Sequence, residues 1–159
     1  MQTKINQIFG KKLRTRIVGL LFRDDGLLLI NHQGLHPSNV YWAPPGGSQH
    51  FGESAIECLQ REFKEETHLE VAVKEFLFVH EYRSEHLHAM ELFFRVEETG
   101  GSLQLGSDPE LPAHEQMLSE LRLFSADELN SIPNEQKHQM FRAIHSYPDL
   151  LARKGYFAY

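Results

Sequence analysis

The chain has 159 residues, 41% of them hydrophobic and 24% charged, which suits one globular domain over 1–159 with a core of its own. A formal net charge of −6 and an isoelectric point near 5.9 argue against a general nucleic-acid or membrane-surface binder, so no stable nucleic-acid complex and no membrane association are expected. The single cysteine, Cys58, allows no internal disulfide, and no stretch has the apolar length of a signal core or a membrane span, so a cytoplasmic protein is expected.

Taken in chain order, Lys11-Lys12-Leu13-Arg14-Thr15-Arg16 reads as a solvated approach to a first strand, with phosphate contact by one of these side chains as the other reading. The apolar runs 16–22 and 27–30 flank Asp24-Asp25-Gly26, a hairpin signal. Tyr41-Trp42-Ala43 reads as a short buried strand. Pro44-Pro45-Gly46-Gly47 then demands a shaped loop, where helix and most sheet pairing are not expected. A helical pattern covers 53–67. Strands follow at 71–82 and 87–96, with 83–86 as their turn. Gly100-Gly101 and Gly106-Ser107-Asp108-Pro109 mark loops, and 118–124 alternates like a strand. Ser125 reads as a helix N-cap, and a last helix is expected over 136–147, stopped by Pro148. The sum is a mixed α/β domain with hairpin-rich sheets; a doubly wound parallel sheet is not expected, because strand and helix do not alternate.

On a helix over 53–67, Glu62, Glu65 and Glu66 stand at i, i+3 and i+4 and share one face, beside an apolar stripe of Ile56, Leu59 and Phe63. Three carboxylates so close repel one another, and a divalent cation removes the repulsion. Magnesium prefers oxygen ligands, suits one or two carboxylates plus substrate phosphates, and readies a water for attack. Glycines just upstream let backbone approach metal or phosphate. The bland reading, a solvated acidic helix face, is weakened by that loop and by the packing stripe beside it.

Gly47, then Glu53, then Arg61-Glu62-Phe63-Lys64-Glu65-Glu66-Thr67-His68-Leu69 resembles the Nudix box, G-x5-E-x7-R-E-U-x-E-E-x-G-U with U bulky and apolar. Every position agrees except His68, which stands where the box has glycine. The preceding Trp42-Ala43-Pro44-Pro45-Gly46-Gly47 is similar to the family's entry into the box. The resemblance implies a Nudix fold, an α/β/α sandwich around a mixed sheet, and metal-dependent cleavage of the pyrophosphate bond in a nucleoside diphosphate linked to a group X. By position, Glu62, Glu65 and Glu66 with the Gly46 carbonyl would hold Mg²⁺, with Mn²⁺ as substitute, and Arg61 would orient them by pairing with Glu53. Glu62 serves alternatively as general base; later-loop candidates are Glu115, favoured, with Glu110 and Glu120. His68 bears on how the helix ends, where a left-handed residue is often needed. A homodimer is the assembly the resemblance suggests.

Substrate groups are expected outside the box. Trp42 is weighed as a base-stacking residue against a core or rim tryptophan, and His80, Tyr82 and His88 as residues of the substrate cleft. A zinc site from His80, His86 and His88 is disfavoured by strand-like spacing and the lack of cysteine. The ten histidines read mostly as surface residues, and Cys58 as a small buried cysteine rather than a nucleophile. The segment 105–110 is similar to that of family members acting on ADP-ribose, and a (d)NTP fits as well. A non-catalytic nucleotide-binding module is the reading from another class, and loss of a box glutamate would mark it; none is lost.

Overall fold

Alternation along the first strand decides the architecture. In this computed structural model, which describes residues 6, 7, 9–142 and 144–159, β1 (Leu13–Arg23) sends Val18 and Leu20 into one hydrophobic cluster and Ile17 and Leu21 into another. A strand buried on both faces must lie inside a sandwich. The remaining strands are β2 (Gly26–His32), β3 (Trp42–Ala43), β4 (Gly46–Ser48), β5 (Leu69–Arg83), β6 (His88–Gly101), β7 (Leu118–Phe124) and β8 (Gly155–Ala158). Their order is β3-β2-β1-β6-β5-β8, with β4 on β1 and β7 on β2. The sheet is mixed: β1 runs parallel to β6 and β5 parallel to β8, while β5 and β6 pair antiparallel.

Helix α1 (Ala55–Thr67) covers one face through Cys58, Leu59 and Phe63. Helices α2 (Ala126–Ser131) and α3 (Tyr147–Ala152), with the 3-10 turn Gln139–Phe141, cover the other through Leu129, Met140, Phe141, Tyr147 and Leu150. This is the expected α/β/α arrangement. β1 and β2 pair only at their shared hairpin, Phe22 with Leu27 and Arg23 with Gly26. Beyond it β1 turns to β4 and β2 turns to β3 and β7, so the sheet opens where the Gly46-Gly47 segment enters.

Four sequence expectations change. The glycine segment is not loop throughout: Gly46–Ser48 pairs antiparallel with Arg16, Ile17 and Val18. Helix α1 begins at Ala55, not at residue 53, because Ser54 caps it. The Ser54 hydroxyl accepts the Glu57 N–H at 3.2 Å and the Glu57 carboxylate accepts the Ser54 N–H at 2.8 Å. Gly100 and Gly101 end β6 rather than forming a loop, since β5 starts directly after α1 and pairs with them. The last helix does not end at Pro148 but contains it in its first turn, where a missing N–H costs nothing; residues 134–141 form two short 3-10 turns instead.

Candidate active site

Helix α1 is placed by its apolar face, and that placement brings its acidic face against β4. Glu62 and Glu66 are buried and Glu65 half-buried. A Cβ on Gly47 would lie 2.3 Å from Glu62 Oε1, so only glycine lets this carboxylate rest on the β4 backbone. The Gly46 N–H donates to Glu66 Oε2 at 3.0 Å. Arg61 ties the group together from the outer side. Its Nε and Nη2 grip both oxygens of Glu53 at 2.7 and 3.1 Å, and its Nη1 donates to Glu62 Oε1 at 2.8 Å and Glu65 Oε2 at 3.1 Å. The Glu53 partner implied by the resemblance is therefore in place.

The electrostatics divide these acids. Hydrogen bonding from Arg61 holds the Glu53 carboxyl down at about 2. Burial pushes Glu62 up against the pull of Arg61, and burial followed by the neighbouring Glu62 charge pushes Glu66 well above the usual carboxylate range. Glu62, Glu65 and Glu66 are the oxygen donors here that could hold a hard divalent cation, which would relieve their mutual repulsion. The Gly46 carbonyl stands beside them and accepts from Arg16 Nη2 at 3.3 Å. Cys58, pushed up to about 12 by burial and the Glu53 and Glu62 charges, is packed against the Gly47 and Ser48 carbonyls and has no nucleophilic character.

These carboxylates form one wall of a cavity of about 590 Å³, within the size range of small-ligand sites. Arg14, Arg16, Tyr41 and Tyr82 stand on its other walls. The loop between β6 and β7 closes the helix end of the cavity. Its Gln104, Gly106 and Ser107 N–H groups donate to the Thr67, Glu66 and Glu65 carbonyls at 3.1, 2.8 and 3.1 Å. These are carbonyls that a helix end otherwise leaves orphaned. Gly106 lies so close that a Cβ there would be 1.8 Å from the Glu65 oxygen. His68 completes the cap in the left-handed region, φ 58° and ψ 13°, with its N–H on the Lys64 carbonyl at 3.1 Å. The docked loop delivers Asp108 and Glu110 to the cavity, and Glu110 reaches His50 at 2.7 Å. Gln116 braces the loop by accepting the Asp108 N–H and donating to the Asp108 and Leu111 carbonyls. Burial raises the Asp108 carboxyl above its ordinary value.

The remaining expectations fare unevenly. Glu115 sits in the 3-10 turn Ala113–Glu115, 3.4 Å from His114, and Glu120 on β7; neither lines the cavity, so the loop acids brought to it are Asp108 and Glu110. Tyr82 does line it. Trp42 does not: it is 7% exposed and packs edge-on against Phe124 in the core. His88 alternates out of the cavity face and pairs with Glu81 at 2.6 Å. His80 belongs to the cavity face of β5 but is fully buried, because Glu91, opposite it on β6, takes its Nδ1 at 2.8 Å. The same Glu91 oxygen takes Nε2 of His138 at 2.7 Å, so two of the ten histidines form a buried cluster rather than surface. His80 and Glu91 face each other across the β5–β6 hairpin and His138 joins them from 47 residues further on, so nothing in their spacing announces the cluster. Arg14 and Arg16, read as a solvated approach, are strand residues that face the cavity. Alternation with Val18 was the signal that they share its face.

The comparisons follow from this geometry. The family profile described as the NUDIX domain matches residues 12–145. An ADP-ribose pyrophosphatase of Methanocaldococcus jannaschii is 35% identical over 92 residues, 57% of this chain and 54% of that protein, so the chain spans about half the length of this relative. Among solved structures, a UDP-X diphosphatase superposes with a TM-score of 0.65 at 18% identity, over 99% of this chain and 75% of the other. A MutT protein from Methanosarcina mazei Go1 superposes with a TM-score of 0.65 at 15% identity, over 89% and 91%. At these identities the structural likenesses establish the fold.

Proposed function

The chain belongs to the NUDIX domain family, and from that premise we propose that it is a divalent-metal-dependent hydrolase splitting the pyrophosphate bond of a nucleoside diphosphate linked to a second group. The observation that carries this reading is the meeting of Glu62 and Glu66 with the Gly46-Gly47 backbone, with Glu65 beside them on the same helix, at one wall of a cavity of substrate size. Mg²⁺ suits these donors, with Mn²⁺ as substitute; when bound it polarises the phosphate and lowers the pKa of the attacking water. Arg61 ties Glu62 and Glu65 to Glu53 and so keeps those two box carboxylates at fixed spacing. Asp108 and Glu110 are placed to take the proton of that water, Glu62 being the alternative base. Tyr82, with Tyr41, offers the cavity an aromatic and hydroxyl wall for the nucleoside or sugar. The presence of all three box carboxylates speaks against a non-catalytic binding module.

ADP-ribose heads the substrates because of the name of the archaeal relative, and nucleotide sugars and (d)NTPs follow. Incubation of the protein with each compound, with and without Mg²⁺ or Mn²⁺, tests this by product analysis. Metal-dependent release of a nucleoside monophosphate is expected. No metal-dependent turnover on any of the three classes overturns the reading. The nucleotide substrate implies the cytoplasm, where such compounds are made and used, and size-exclusion chromatography decides the homodimer. Among the described residues no helix is long and apolar enough to cross a membrane.

A further inference from the structure

The buried cluster of His80, Glu91 and His138 is not used by the box chemistry, yet it ends in the cavity. Glu91 is 1% exposed, and its Oε2 accepts from both imidazoles. Its Oε1 accepts from Arg16 Nη1 at 2.9 Å. The Met140 N–H donates to His138 Nδ1 at 3.2 Å, which requires a bare ring nitrogen there and puts the His138 proton on Nε2. Nε2 is the atom a metal would need, and Arg16 already supplies the cluster's positive charge, so the three residues are a hydrogen-bonded support and not a metal centre. The support has a purpose that electrostatics makes visible. Arg16 lies close enough to Glu62 and Glu66 to influence both, and a loose guanidinium would be drawn onto those carboxylates. Glu91 and the Gly46 carbonyl, which accepts from its second nitrogen, hold it instead.

Arg14, two residues along the same face, stands about 7 Å further down the strand. Among the described residues it makes no ion pair. Its Nη1 has a 3.3 Å contact with the Ser48 hydroxyl, its guanidinium lies 4.4 Å over the Phe9 ring, and its Nε is buried without a partner. Burial and the charge of Arg16 push it down to about 10 against the pull of Glu91 and Glu110, with neither of which it forms an ion pair. A half-buried, unneutralised guanidinium beside a neutralised and clamped one is suited to oxyanions, which arginine binds in bidentate fashion.

We propose that Arg14 and Arg16 form a seat for a phosphate group of the substrate in the cavity that the box carboxylates also line, and that Glu91, held by His80 and His138, is the positioning residue that keeps Arg16 in it. The proposal rests on the nucleotide reading above, and binding and turnover separate the two. The probe is α,β-methylene-ADP, titrated calorimetrically into the whole chain with Ca²⁺ or Mg²⁺. Arg14→Gln and Arg16→Gln are each expected to weaken its Kd about tenfold or more. Glu91→Gln is expected to weaken it like Arg16→Gln but to add less than about twofold in the Arg16→Gln background. In turnover of ADP-ribose the same variants are expected to raise KM more than they lower kcat. If Glu91→Gln fails to fold, Glu91→Leu with Arg16→Met replaces the buried pair by apolar groups and keeps the question open to measurement. A native melting profile with lost binding supports the seat, and a native Kd overturns it. Failure of the wild-type chain to bind the probe, unchanged Kd in either arginine variant, or one zinc ion held through His80 and His138 in a Glu62→Gln/Glu65→Gln/Glu66→Gln chain also overturns it. Arginine-dependent binding without hydrolysis of any nucleotide leaves the seat standing and removes only the hydrolase reading.

Discussion

Replacing Gly47 by alanine tests whether the position of Glu62, rather than its mere presence, sets activity. The added Cβ would lie 2.3 Å from Oε1, 2.5 Å from Cδ and 2.6 Å from Oε2 of Glu62, whereas ordinary contact begins at 3.4 Å. The carboxylate must therefore retreat by about 1 Å. It is the far end of a flexible side chain, so the retreat costs little stability, and Gly47 is not in the left-handed region, so alanine adds no backbone strain. The carboxylate is nevertheless held by Arg61 at 2.8 Å, and moving it disturbs the donor set as a whole. A misplacement of this size is worth roughly 10²-fold in rate, or about 2.7 kcal/mol of transition-state stabilisation. The expected result is a kcat/KM for ADP-ribose lowered by about two orders of magnitude, a higher Mg²⁺ requirement, and a melting temperature within a few degrees of wild type. Gly19→Ala is the control. There the Cβ meets Phe63 at 2.4 Å inside the core, so overpacking of about 1–3 kcal/mol should lower the melting temperature, the loss that Gly47→Ala is expected to avoid. Wild-type kcat/KM in Gly47→Ala would refute the claim that the β4 backbone fixes Glu62.

How far the sequence alone reaches depends on the range of the interaction involved. The box helix and its carboxylate face are local, set by 3.6-residue periodicity, and are where spacing puts them, while the Arg61–Glu53 pairing is where the Nudix resemblance implies it. Ser54 as N-cap was missed by two residues, because Glu53 also looks like a first-turn acid. What failed was non-local. Trp42 and His80 have surfaces suited to a base, but β2, β5 and β6 fold over them, and only the pairing of His80 with Glu91 across the hairpin shows that the ring is buried. Glu115 and Asp108 are equally acidic and lie in one loop; the choice between them is made by Gly106, whose contact with α1 turns Asp108 inward. His138 meets Glu91 across 47 residues of chain, a distance at which no periodicity speaks.

Asp108→Asn is expected to lower kcat roughly 10²-fold while Glu115→Gln leaves it near wild type; equal losses in steady-state assays would move the base away from the inner part of the loop. His68→Gly should relieve the left-handed strain at the α1 cap, partly offset by the greater freedom of unfolded glycine, for a net gain of about 0.5–1 kcal/mol in thermal or urea unfolding, with activity unchanged. Glu66→Gln should remove most metal-dependent turnover, and its effect on stability carries a sign that can be worked out in advance. Burial, then the Glu62 charge, raises the folded-state pKa of Glu66 above its ordinary 4.5. A carboxyl raised in this way favours the fold fully below its unfolded value, and that contribution is lost as pH rises through the folded value. The metal-free wild-type chain should therefore lose melting temperature as pH rises above the ordinary glutamate value of 4.5, more than Glu66→Gln does over the same interval. Mg²⁺ should restore the wild type, since binding to the native state alone stabilises it, and should do little for the variant, which offers one charged donor fewer. A metal-free wild type whose melting temperature stays as flat as that of Glu66→Gln would mean that Glu66 is not held as a strained buried acid, and the case for a cation at this wall would lose its main electrostatic support.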